Sequence, residues 1–452
     1  MAKKINIFWV SPHCWPSDML RPGGLRTQFS QGGQSGVMYF QTIELAKALP
    51  DLHIDIFSRY QQLPGEKEEQ IIHLHDRVRE IKLPCGPVDE YVPKEHLWDY
   101  IPGFVQGIVD FAKKENIHYS LCHGHYSDGW MVVRMIKEIW PSIASYITTH
   151  SMARRKREDS LNRKEEGGDL QKLDKKYNFI RRIVEEGRSL KVVDRICPLS
   201  SVEAEYMRHH YCEYLQGLDR IRITPNGINT DIFIETTEED VRDLRAKLNL
   251  GEKDMVIFLP ARIDPRKGIK NVVLAAPKII KEMERQRKSI KILLVTWPEK
   301  HDDYSLMVEN LMKEYNVEDY FIKHPSVPHK WMGLYFALST VVLQPSQEYF
   351  SLVTIEAMLK EKVIITSKYN GARDAITEDV DGFLIDHTDI EDISKRVIEV
   401  LSMGEEKLRE VGKKARKKVL EGFTWDKVTK KLIQYYSETV PDITDKITYN
   451  FC

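Results

Sequence analysis

The sequence predicts an α/β protein of two doubly wound, parallel-sheet domains, and three observations point there. Short apolar runs alternate with longer helix-patterned segments, the pattern of βαβ units. The alternation begins anew past the middle of the chain. At 452 residues the chain also exceeds what one hydrophobic core usually holds. In the first half, strands are expected near Ile5 to Val10, His53 to Ser58, Tyr119 to His123, Tyr146 to Thr149, Ile196 to Leu199 and Ile221 to Thr224. In the second half they fall near Val256 to Leu259, Ile292 to Val295, Tyr320 to Ile322, Val341 to Leu343, Val363 to Thr366 and Phe383 to Ile385. Between the halves, TPNGINTD places Pro225, Asn226 and Gly227 where both periodicities stop, which makes a hinge. The expected domains are 1–226 and 227–423. A last amphipathic helix, Phe423 to Tyr436, sets Trp425, Val428, Leu432 and Tyr435 at core-facing spacing.

Composition narrows the class of protein. A formal charge of −1 gives no electrostatic reason to expect nucleic acid or a membrane surface as partner. No apolar run reaches the roughly 18 residues of a membrane span. The N-terminus MAKKINIFWVSPH reads as a first strand, because Ser11 to Pro16 interrupts it before a signal-peptide core forms. The six cysteines contain no CxxC pair, so reduced thiols and a cytoplasmic protein are expected. Nothing in the sequence speaks to oligomeric state.

The most informative stretch is QPSQEYFSLVTIE, Gln344 to Glu356. It joins a buried strand to an apolar helix beginning near Ser351 or Leu352. Backbone N–H groups at such a helix start are unpaired and suit an anion such as a diphosphate. Glu356, about one turn into the helix, offers a carboxylate to a ribose diol, and Glu348 offers one to sugar hydroxyls. Taken alone, the pair reads equally well as a solvated loop acid and a helix-surface acid. A second element is FLPARIDPRK, Phe258 to Lys267, where a strand runs into a turn carrying Arg262 and Lys267 ahead of Gly268. An Arg fork and a movable Lys charge together suit a departing nucleoside diphosphate. Both motifs lie at strand C-terminal ends, where doubly wound sheets bind ligands.

RIDPRK followed by EYFSLVTIE, preceded by GGQSGVMYF and THSMARRK, resembles the retaining glycosyltransferases of family 4. Within them it looks like the group of sucrose-phosphate and mannosylfructose-phosphate synthases. The resemblance runs from Ile5 to about Tyr436 and implies a GT-B fold, two Rossmann-like domains facing a cleft, with no metal or other cofactor beyond the nucleotide-sugar donor. It also implies that the C-terminal segment 424–452 crosses back to the first domain. Residue by residue, it assigns Gly33, Arg262, Lys267, Glu348, Ser351, Leu352 and Glu356 to the donor. His150, Arg262, Lys267 and Glu348 would be the catalytic set.

For the acceptor, the resemblance implies Gln34, Lys94, Asp128, Lys156, Arg181 and Arg182. Lys94, Lys156, Arg181 and Arg182 match positions that hold an acceptor phosphate, and Asp128 would accept a hydrogen bond from an acceptor hydroxyl. The loop Gly32, Gly33, Gln34 lets backbone approach a ligand closely but is no dinucleotide fingerprint. His150, by itself a structural strand-end residue, gains weight from Lys156 six positions on. Two departures stand out: Ala153 and Ser351 occupy places where relatives commonly have glycine. The best acceptor and donor guesses are fructose 6-phosphate and UDP-glucose, giving sucrose 6-phosphate. The alternatives are a GDP-mannose enzyme, an unphosphorylated acceptor as in sucrose synthase, and a catalytically silent nucleotide-sugar-binding protein.

Other patterns take plainer readings. The run Arg154 to Lys176 balances acids against bases and is expected as a solvated loop at the cleft mouth. His123 and His125 lack a third ligand at metal spacing and are read as structural or as a cleft-facing polar pair. Asp379 and Asp381 precede Gly382 in a turn.

Overall fold

The computed structural model describes residues 4–20, 33–62, 69–161, 169–298 and 302–444. Gly32 and Cys452 lie outside them. The chain divides into two compact units, Met1–Gly227 with Trp425–Cys452, and Ile228–Thr424.

The first unit carries a seven-stranded sheet in the order β3-β4-β2-β1-β5-β6-β7. Its strands are β1 Ile5–Val10, β2 Leu52–Tyr60, β3 Ile71–His75, β4 Val78–Pro84, β5 Tyr119–His125, β6 Ala144–Thr148 and β7 Arg195–Cys197. All pairs are parallel except the β3–β4 hairpin. That hairpin is absent from the sequence expectation for a physical reason. Its segment is rich in charge, yet Glu80 and Lys82 are buried, with Glu80 accepting from the Ser58 hydroxyl at 2.5 Å and the Ser17 N–H at 2.8 Å. Paired buried charge breaks the apolar alternation by which a strand is recognised. Conversely, Ile221–Thr224 forms no regular strand: it makes a single bridge, Ile196 to Ile221, with the N–H groups of Arg222 and Thr224 donating to the carbonyls of Ile196 and Pro198.

The second unit is a six-stranded, wholly parallel sheet in the order β10-β9-β8-β11-β12-β13. Its strands are β8 Met255–Pro260, β9 Ile290–Val295, β10 Phe321–His324, β11 Val341–Gln344, β12 Val363–Ser367 and β13 Phe383–Ile385. Numbered within the unit, this is the 3-2-1-4-5-6 order of a dinucleotide-binding fold, with its reversal between β8 and β11. The strands read as near-continuous apolar runs because helices cover both faces. Helix Ile269–Arg285 alone buries Ile269, Val272, Val273, Ala276, Ile279 and Met283 in the core.

Two expectations are corrected at the level of elements. The charged run after Met152 is helical at both ends, Ala153–Leu161 and Leu170–Tyr177, rather than a loop. Its charges are locally satisfied: Arg155 pairs with Asp159 one turn on at 3.1 Å, and Asp169 caps the second helix. In the last helix, Trp425–Ser437, Tyr436 rather than Tyr435 is the core residue. That helix belongs to the first unit, where Trp425 stacks on Phe40 and the Tyr436 hydroxyl meets Nδ1 of His123 at 2.6 Å.

Candidate active site

In the second unit the reversal between β8 and β11 brings the two sequence motifs together. Asp264 starts a short 3-10 turn by accepting from the N–H of Arg266, and it also holds the Arg266 guanidinium at 2.9 Å. Gly268 follows with φ of 72°, and a Cβ there would stand 2.0 Å from the carbonyl oxygen of Pro345. Only glycine permits this approach of the β8 loop to the β11 loop. Lys267 is thereby turned so that its ammonium forms an ion pair with Glu348. Arg262 is exposed and enters no ion pair among the described residues.

The β11 loop is closed from inside. The side chain of Gln344, the last residue of β11, donates to the hydroxyl of Ser351 and accepts from that of Thr354 at 2.7 Å. Ser351 is the N-cap of helix Leu352–Leu359, but its buried hydroxyl is turned to Gln344 and caps no N–H. The first-turn N–H groups beside Leu352 therefore have no side-chain cap, the arrangement that suits an oxyanion. Glu356 is buried, not the surface acid of the plainer reading, and its Oε1 meets Nε2 of His329 at 2.8 Å. His329 carries no local sequence signal, since its partner lies in another element.

In the first unit the chain reverses likewise between β1 and β5, and the cluster forms at their C-terminal ends. Gly129 packs so tightly that a Cβ would lie 2.5 Å from the Val10 carbonyl oxygen. This sets the start of helix Tyr126–Ile139 against the β1 loop. Asp128 there is fully buried, with Oδ1 accepting from the Gly129 N–H at 2.8 Å and Oδ2 bonded to Nδ1 of His13 at 2.5 Å. Each oxygen of Asp128 thus has one partner inside the protein. The pair presents His13. Burial opposes charge on that imidazole, but Asp128 outweighs it and raises the pKa to about 10. Gln34, first residue of helix Gln34–Ala48, donates to Ser11 at 3.0 Å, while Gly33 is the exposed N-cap of the same helix.

Tyr126, which no sequence pattern singled out, is the centre of the basic cluster. Its φ is 64°. Lys94 stands 4.7 Å and Arg182 4.4 Å from its ring centroid, and its hydroxyl accepts from Arg182 at 2.7 Å. Burial raises the Tyr126 pKa, but Arg182, Lys94 and Lys156 prevail and lower it. Lys156 reaches Glu95 at 3.4 Å, and burial first, then Arg182 and Lys94, depress its pKa. The segment leading to Lys94 is held from below by the buried Arg59, which donates to the carbonyls of Pro87, Glu90 and Val92.

The two adjacent arginines separate, since successive helix positions face about 100° apart. Arg181 is partly exposed and pairs with Asp99 at 2.7 Å. Arg182 is buried, donating to Glu186 and Ser127 at 2.8 Å and to the Ser151 carbonyl at 2.8 Å. It is thus held from inside, with its guanidinium beside the Tyr126 ring. Glu186 is the counter-charge, also accepting from Ser127, the Tyr211 hydroxyl and the N–H of Ala153. That last bond starts the helix carrying Lys156, so the alanine in place of glycine is accommodated as an ordinary first helical residue.

His150 lies two residues beyond the end of β6 with φ of 55°, past the strand end expected of it, and its Nε2 lies 2.9 Å from Nδ1 of His125. Burial, then the charge of His13, lowers its pKa to about 3, so the imidazole is neutral. His125 stacks on Trp9, and His123 is bonded to Tyr436 and Thr148, which makes both internal structural residues. Among the described residues no group of three or more His, Cys, Asp or Glu side chains is arranged to hold a metal.

Comparison with known proteins matches both units to one enzyme class. Residues 40–232 match the family model described as Glycosyltransferase Family 4, and residues 240–418 that described as Glycosyl transferases group 1. The chain is a glycosyltransferase. This glycosyltransferase has the GT-B fold, and it superposes on the sucrose-phosphate synthase of Thermosynechococcus elongatus with a TM-score of 0.72, 24% identity, and coverage of 97% of this chain and 100% of that one. An Anabaena protein, HepE, solved with UDP and glucose, matches at a TM-score of 0.60 and 16% identity over 96% and 100% of the chains. In sequence, a D-inositol 3-phosphate glycosyltransferase of Corynebacterium urealyticum is 24% identical over 97% of each chain. No helix among the described residues of the glycosyltransferase is long and apolar enough to cross a membrane.

Proposed function

We propose that this glycosyltransferase moves a hexosyl group, with retention, from a nucleoside diphosphate sugar to a phosphorylated polyol. The observation that carries the acceptor class is the cluster of His13, Lys94, Lys156 and Arg182 about Tyr126. Three cations, His13, Lys94 and Arg182, crowd one buried ring, and burial, then Arg182 and Lys94, depress the neighbouring Lys156, a site that a phosphate dianion relieves. The best assignment is UDP-glucose and fructose 6-phosphate, giving sucrose 6-phosphate. UDP is favoured by the Anabaena neighbour solved with it. An inositol phosphate acceptor is the second reading, favoured by the relative that spans nearly the whole chain.

In this reading the open start of helix Leu352–Leu359 holds the diphosphate, Glu356 accepts from the ribose diol, and Glu348 binds hexose hydroxyls. The acceptor hydroxyl attacks the anomeric carbon as its bond to the diphosphate oxygen breaks. The proton passes to the leaving phosphate on the same face. Arg262 and Lys267 offset the charge that develops on that phosphate, without a metal. Lys267 leaves Glu348 to do so.

The test is nucleoside diphosphate release over a panel of donors and of acceptors with and without phosphate. Release that depends on a phosphorylated acceptor is expected. Equal rates with the unphosphorylated acceptor overturn the phosphate assignment, and donor binding without acceptor-dependent release leaves only a nucleotide-sugar-binding protein.

A further inference from the structure

Glu356 is 4% exposed in the core-facing side of helix Leu352–Leu359. A carboxylate taken that far out of water is costly unless an opposite charge or strong donors compensate it. Among the described residues, one side chain does so: His329, whose Nε2 lies 2.8 Å from Oε1. His329 belongs to the 3-10 turn His329–Trp331 that follows Pro328, and Phe233 stands beside its ring at 5.6 Å. Its side chain is 54% exposed, so it supports no core of its own. Glu356 raises the pKa of His329 against the effect of burial, consistent with an imidazolium facing a carboxylate.

We propose that His329 is a positioning residue for donor binding: it holds Oε1 of Glu356 and keeps that carboxylate oriented for the vicinal diol of the donor ribose. Without it, the buried carboxylate is left unpaired and free to rotate, and a misdirected acceptor loses the hydrogen bonds of the diol. The inference rests on the reading of Glu356 as the diol acceptor.

The experiment measures the dissociation constants of UDP and its 2′,3′-dideoxy analogue, or of the GDP pair where the donor screen selects guanine, for the parent chain and for His329→Ala and His329→Gln. The parent is expected to prefer the diol-bearing ligand. In His329→Ala that preference falls about tenfold while the dideoxy analogue binds as before, and His329→Gln, which keeps an N–H donor without the charge, recovers part of it. Leaving the buried carboxylate unpaired lowers the melting temperature of His329→Ala, and the ratio of the two dissociation constants, which a uniform loss of stability does not move, carries the readout. An undiminished preference in His329→Ala, or equal weakening of both ligands, overturns the inference. A parent that shows no preference removes the diol role of Glu356 itself, which separates the failure of the underlying reading from the failure of this one.

Discussion

Gly268 makes the arrangement of the donor half vulnerable at one atom. In Gly268→Ala, a methyl group would stand 2.0 Å from the Pro345 carbonyl oxygen, over 1 Å inside the roughly 3.5 Å of ordinary contact. The backbone there has φ of 72°, which costs an L-residue roughly 1–2 kcal/mol. Relieving the overlap means parting the β8 and β11 loops, an overpacking cost of about 1–3 kcal/mol. The sum, about 2–5 kcal/mol, is a large share of a domain's stability of roughly 5–15 kcal/mol. Urea unfolding followed by tryptophan fluorescence and by circular dichroism reads the loss, with both probes needed because a two-unit chain need not unfold in one step. The control is Gly422→Ala, where nothing lies within 4 Å, and it should change stability by less than about 0.5 kcal/mol. Because Lys267 precedes Gly268, nucleoside diphosphate affinity should fall with stability. If Gly268→Ala unfolds like the control and binds the diphosphate like the parent, the close approach of the two loops is not what sets the site.

Three further outcomes are expected. Lys267→Ala should lower turnover by about 10²–10³ with little change in melting temperature, since Lys267 is partly exposed and its ion-pair partner is Glu348; loss of the unfolding transition would contradict the role. Lys156→Ala should raise the KM for a phosphorylated acceptor and leave an unphosphorylated analogue unaffected, as steady-state kinetics with both would reveal. The protein should also lose stability in acid. Burial lowers the pKa of His123 and His150 to about 3 from 6.5, so between those values the unfolded chain binds protons that the native one does not. The contribution of these two histidines is full above about pH 6.5 and falls as pH drops, by up to about 1.4 kcal/mol per pH unit for each, whereas that of His13, whose pKa is raised to about 10, is lost as pH rises from 6.5. His125 adds to this trend, and Glu203, held protonated to about pH 7 by burial, opposes it. Urea midpoints at pH 7 and pH 5 should differ accordingly, and His123→Gln should flatten the dependence; an unchanged slope would mean that His123 is charged in the native state.

Much of the fold and of the cluster in the second unit was legible because its signals are local. Parallel strands buried on both faces are uninterrupted apolar runs, and Arg262, Lys267, Glu348 and Glu356 sit at the ends of such runs. The β3–β4 hairpin was not legible, because the buried charges of Glu80 and Lys82 look like surface until Ser58 and Ser17 are seen beside them. The cluster in the first unit was legible as a set of basic residues and not as an arrangement. Whether Arg181 or Arg182 turns inward depends on the phase of one helix, and whether Asp128 meets solvent depends on His13, 115 positions away.

The sequence by itself therefore determined the two doubly wound sheets, the family and the chemical types collected at their strand ends, since periodicity and local motif specify these. Tertiary structure alone decided which charges meet: Lys267 with Glu348, His329 with Glu356, His13 with Asp128 and Arg182 with Glu186. Of these, only Arg182 and Glu186 are near neighbours in sequence, one helical turn apart. The others face one another because a sheet reverses its strand order beside them, and burial then makes each charge depend on a partner that no local pattern encodes.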